Sequence, residues 1–152
     1  MADTHEHISG YLGALTLFGT SVLAAAVAGR AADKELPDGF STRDLALGAL
    51  ATQKFTRILA KDAVTTPIRA PFTDFEKPLG SGEVQDRPRP ERPQHTVGEL
   101  LTCPFCLAPW TATAYVAALT LAPRAARAWA AVFTIVGGSD ALQHAYARLR
   151  TD

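Results

Sequence analysis

The chain is 152 residues long, room for one domain, and its 15 Lys and Arg balance 15 Asp and Glu. That balance gives no electrostatic case for a nucleic-acid partner, and two cysteines are too few for a disulfide-stapled secreted fold. Charge is absent from residues 8–29 and 100–123 and dense between them.

Each uncharged run exceeds the roughly 20 residues that cross a bilayer at about 1.5 Å per residue. The first predicts a transmembrane helix over 9–29. No Lys or Arg precedes it and it outruns a signal-peptide core, so it reads as retained rather than cleaved. Ser21, Ala25 and Gly29 form a small-xxx-small ladder along it. After a turn at Pro37-Asp38-Gly39, Ser41 and Asp44 make a capping box that opens a helix over 42–61. Leu47, Ala51, Phe55, Ile58 and Leu59 share one face of it, and Lys54, Arg57 and Lys61 another. This is the pattern of an amphipathic helix lying in the membrane interface. As a span it would hold Lys54 near mid-membrane, at about 2.5–3.5 kcal/mol.

Over 67–96 prolines and charges alternate, as in Asp86-Arg87-Pro88-Arg89-Pro90, and the segment predicts an exposed, extended loop. Thr96 and Glu99 form a second capping box, leading into the second apolar run, where Pro104 and Pro109 predict a break near Cys103. A last helix over 128–147 carries Asp140 and His144. The fold class is therefore all-α, a single membrane domain of three transmembrane helices plus one interfacial helix, with four spans as the alternative. Residues 30–92 hold eleven Lys and Arg, joined in the three-span scheme by Arg148 and Arg150, against Arg124 and Arg127 on the other side. The positive-inside rule then puts the N-terminus outside and the loop in the cytoplasm.

The segment from Lys61 through Arg69 to Thr73, followed by Gly98-Glu99-Leu100-Leu101-Thr102-Cys103-Pro104-Phe105-Cys106 and Trp110, resembles the bacterial family catalogued as Domain of Unknown Function 1360. That family includes a sporulation-associated membrane protein of endospore formers, and the resemblance runs from about Asp44 onward. It implies a membrane protein of unknown biochemistry, in keeping with a bacterial inner-membrane location, and draws attention to Asp62, Arg69, Cys103, Cys106 and Trp110, without assigning them roles.

Chemistry centres on Cys103-Pro104-Phe105-Cys106, which admits three readings: buried soft packing, half of a zinc site, or a redox dithiol at a helix N-terminus. If the last two helices fold back around Pro123, His144 comes level with Phe105 and Asp140 with Pro109. Cys103, Cys106, His144 and Asp140, or His95 in place of Asp140, then converge as zinc ligands. Asp62 is expected at the helix end with Arg69 pairing with it or with lipid phosphate; a polar pocket of Asp62, Arg69 and Glu99 against the CxxC is the alternative. No phosphate loop, nucleophile elbow or helical HExxH is present, so a soluble-enzyme activity is not expected. The leading functional reading is a structural, assembly or interaction component in contact with lipid and with a membrane partner or a second copy. Its counterpart is a membrane thiol oxidoreductase passing electrons to a quinone or a partner thiol, with Phe105 and Trp110 walling the quinone.

Overall fold

The computed structural model describes residues 2–34, 37–91 and 94–150. Helix α1 (Ala2–Ala31) has apolar residues around its whole circumference. Its last turn closes in a Schellman-type cap: Asp33 takes a left-handed φ of 51° and the Lys34 N–H donates to the Gly29 carbonyl at 2.9 Å. Helix α2 (Thr42–Lys61) starts as its capping residues predict, with the Ser41 hydroxyl accepting the Asp44 N–H at 3.0 Å. A 3-10 turn (Ala63–Thr65) and a single helical turn, α3 (Thr66–Arg69), lead into an antiparallel hairpin of β1 (Thr73–Gly80) and β2 (Glu83–Pro88). Helices α4 (Gln94–Thr102), α5 (Pro104–Leu121) and α6 (Pro123–Leu149) complete the chain.

The hairpin corrects the loop expected over 67–96 and makes the fold mostly helical rather than all-α. Gly80 and Gly82 (φ 91° and 79°) flank Ser81 in the left-handed turn that joins the strands. Pro78 and Pro88 are tolerated because a two-stranded ribbon consists of edges only. Such a ribbon is marginal alone. Here its base docks on α4, where a Cβ at Gly98 would lie 2.5 Å from the Phe72 carbonyl oxygen, so glycine is what permits the approach. Helix α4 starts at Gln94, two residues before Thr96, so the second capping box is not used; the His95 N–H is accepted by the Glu91 carbonyl instead.

Contacts along the helices fix their directions. From α1 to the α4–α5 segment, Gly10 abuts Thr96, the Tyr11 hydroxyl donates to Glu99 at 3.1 Å, and Phe18 meets Trp110 edge-on at 5.1 Å. Both chains advance together, so α1 and α5 run parallel. Helix α2 runs alongside α6, with Asp44 on Arg127 near their N-termini and Lys54 on Asp140 further along. It opposes α5, with which α6 forms a tight hairpin through Ala122. The four long helices thus alternate in direction. If α2 lay on a membrane surface, α1 and α5 would be consecutive spans and would run antiparallel.

Helix α2 is central rather than peripheral. Ala51 packs with Tyr115 and Leu119 of α5 and Ala126 and Ala130 of α6, and Phe55 meets Trp129 and Phe133 edge-on. The expected basic stripe is divided: Lys54 is only 8% exposed, whereas Arg57 reaches Glu83 on the hairpin through two hydrogen bonds of 2.6 and 2.7 Å. Leu45 and Leu50 face outward while Asp44, Thr52, Lys54 and Thr56 are buried. A water-soluble helix shows the opposite arrangement.

Asp44, in the first turn of α2 ahead of its apolar stretch, ties that helix to α6 through a two-pronged pair with Arg127, both contacts at 2.9 Å. Hydrogen bonding from the Arg127 guanidinium, partly opposed by burial and helped by Ser41, holds the Asp44 carboxyl down at about 2. A depressed carboxyl contributes stability that is present above its ordinary value near 4 and is lost as pH falls through the folded value. The melting temperature in detergent should therefore drop between about pH 4 and pH 2, and Asp44→Asn should flatten that part of the curve. An unchanged slope in the variant would remove this pair from the acid response.

Candidate functional site

The predicted helix break falls where the prolines place it. Helix α4 ends at Thr102, Cys103 is the N-cap of α5 in an extended conformation (φ −110°, ψ 103°), and Pro104 occupies the first turn. The Cys103 sulfur accepts the Cys106 backbone N–H at 3.2 Å and is joined to the Cys106 sulfur in a disulfide. Cys106 and Phe105 face outward, Phe105 at 89% exposure, while Cys103 is half-buried. Phe105 and Trp110 do not wall a common pocket, because Trp110 packs against Phe18.

One helical turn before Cys103, Glu99 accepts the Tyr11 hydroxyl and lies 3.5 Å from His95 Nε2. The other ring nitrogen of His95 hydrogen-bonds the Arg89 carbonyl at 3.0 Å. These contacts join α1, α4 and the end of the hairpin beside the disulfide.

The zinc set is not assembled: among the described residues no three His, Cys, Asp or Glu side chains are gathered as a metal site. Asp140 is engaged by Lys54 at 2.5 Å, a partner within the α2 basic residues, and His144 is exposed on α6. The Lys54 ammonium on α2 is the cation that neutralises the Asp140 carboxylate.

Arg69 is fully buried and pairs with Asp86, not with the Asp62 carboxylate or with lipid. Its Nε donates to Asp86 Oδ2 at 2.7 Å, and its remaining nitrogens donate to the Leu59 and Asp62 carbonyls and the Thr65 hydroxyl. It fastens the end of α2 to the hairpin. Burial, before neighbouring charges, pushes the Asp62 carboxyl up. Asp86 was missed within the Pro-rich segment; Gly80-Ser81-Gly82 followed by Val84 and Asp86, both buried at alternate positions of β2, is the signal that would have found it. Arg127 also went unassigned, because its partner Asp44 is distant in sequence.

Two helices are long and apolar enough to cross a membrane, Ile8–Ala31 and Pro104–Leu121. Little of either is covered by the rest of the chain, 6% and 17% respectively. The family model described as a protein of unknown function (DUF1360) matches residues 47–146. The chain belongs to this family. No curated protein and no solved structure matches the chain. The match takes in most of α2 through most of α6, including the Arg69–Asp86 pair and the disulfide, and leaves α1 and the first turn of α2 outside.

Proposed function

We propose that this DUF1360 member is a four-span membrane protein, in the bacterial inner membrane, whose Cys103–Cys106 pair is a thiol–disulfide exchange couple. The observation that carries the reading is the placement of the pair. Cys106 is an exposed residue, and the Cys103 sulfur caps a helix beside a backbone N–H, where departing thiolate charge is favoured.

Four spans are supported by the parallel run of α1 and α5 and by the burial of Asp44, Lys54 and Thr56 on α2 while Leu45 and Leu50 face outward. With alternating helices, both termini, the hairpin and the disulfide share one end. That end carries nine Lys and Arg against five at the other, which favours a cytoplasmic location for it. Relative to the three-span scheme, this moves the N-terminus to the cytoplasmic side and leaves the hairpin and the C-terminus where that scheme had them.

In the oxidised direction an incoming thiolate of a partner dithiol attacks Cys106 Sγ, the S–S bond breaks, and Cys103 leaves as thiolate with the bonding electron pair. The partner's second thiolate then attacks the mixed disulfide, leaving the partner oxidised and both cysteines reduced. In a reducing compartment the reverse sequence runs, with Cys106 attacking a partner disulfide.

Two readouts on membrane vesicles test this. Tags at both ends should be protected or exposed together; opposite sides would restore three spans. With glutathione disulfide as probe, reduced Cys103→Ser should form the mixed disulfide about tenfold faster than Cys106→Ser, and the wild-type pair should equilibrate with glutathione. A potential below about −300 mV would make it a permanent brace and return the protein to a structural or assembly role.

A further inference from the structure

Between α1 and α5, on the half of the bundle away from the disulfide, lies a half-open groove of about 820 Å³. Its walls are small and apolar, chiefly Ala25 and Ala26 of α1 and Val116 and Ala117 of α5. The small-xxx-small ladder of α1 therefore does not seat a neighbouring helix closely: Ala25 lines the groove, and Gly29 is covered by the Lys34 backbone of its own cap. One end of the groove is charged. The Schellman-type cap turns the chain so that Arg30, Asp33 and Lys34 all line it. Neither cation is paired with a carboxylate among the described residues, and the three groups leave a net positive mouth.

We infer that this groove is a binding site for an acidic phospholipid, its phosphate between Arg30 and Lys34 and an acyl chain along Ala25, Ala26 and Ala117. The volume falls within the range of ligand sites, and an apolar trough closed by cations at one end matches an amphiphile with an anionic head. A helix from another chain would fill the trough but has no reason to bring negative charge to its end. The site lies away from Cys103 along α5, so it does not serve the exchange reaction. It rests on the membrane reading and not on the thiol one.

The test is native mass spectrometry of delipidated full-length protein in a neutral detergent, titrated with dioleoyl phosphatidylglycerol or dioleoyl phosphatidylcholine. The wild type should retain phosphatidylglycerol preferentially. Arg30→Gln with Lys34→Gln should weaken that retention about thirtyfold. Asp33→Asn, which keeps a residue tolerant of the left-handed backbone, should strengthen it, a gain that misfolding cannot mimic. Ala117→Leu should weaken retention by filling the trough, and Arg43→Gln with Arg124→Gln, outside the groove at the same end, should leave it unchanged.

Equal retention of both lipids, or equal loss with the Arg43/Arg124 control, would overturn the site in favour of nonspecific surface charge. A wild-type dimer that Ala117→Leu dissociates, without selective phosphatidylglycerol binding, would overturn it in favour of a second copy. Failure of the membrane reading itself would show separately, as protein that stays soluble without detergent.

Discussion

Arg69→Ala is expected to cost about 3–5 kcal/mol, the largest single effect in the molecule. The side chain is fully buried and its partner carboxylate is 1% exposed. Asp86 Oδ1 has no hydrogen-bond partner among the described residues, so Arg69 is the compensating charge for a carboxylate removed from solvent. The substitution also strips donors from the Leu59 and Asp62 carbonyls at the end of α2. The expected result is a large fall in melting temperature in detergent, with loss of hydrogen-exchange protection concentrated in residues 70–90. Combining Arg69→Met with Asp86→Leu should recover a substantial part, because the unpaired charge is then gone. If the double variant is as unstable as Arg69→Ala, the hairpin is held by something other than this ion pair.

Asp140→Leu comes second. It leaves Lys54, a residue only 8% exposed, between α2 and α6 with its counter-charge removed, while Gly137 keeps the lysine stem close to α6. The expected loss is about 2–3 kcal/mol, below the 3–5 of an enclosed pair because the Asp140 side chain keeps 39% exposure and is partly screened. Adding Lys54→Met should return the protein to within about 1 kcal/mol of wild type. Thermal unfolding of the three variants checks this. A stable Asp140→Leu protein would mean that Lys54 reaches solvent or another acceptor.

Much of the architecture was legible before any coordinates. The uncharged runs, the Ser41–Asp44 cap and the proline break at Cys103 are local signals, each deciding the conformation of its own few residues, and each helix lies where they point. The hairpin was obscured because Pro78, Pro88 and a high charge density argue against strands, and only docking against Gly98 of α4 makes the ribbon stable. The zinc set was inferred from equal depth in a helical hairpin. Depth does not determine rotation about the helix axis, and Asp140 turns to Lys54.

Composition and periodicity by themselves determined the mostly helical character of this protein, its two long apolar helices and the position of its CxxC pair, because hydropathy and backbone chemistry are properties of neighbouring residues. Only the tertiary structure decided that α2 runs through the centre of the bundle, that α1 and α5 are parallel, and that the buried Asp44, Lys54 and Arg69 are paired with Arg127, Asp140 and Asp86, of which only Asp86 is itself enclosed. The physical reason is that a charge is tolerated in the interior only when an opposite charge meets it there, and the partners are 83, 86 and 17 residues away in sequence.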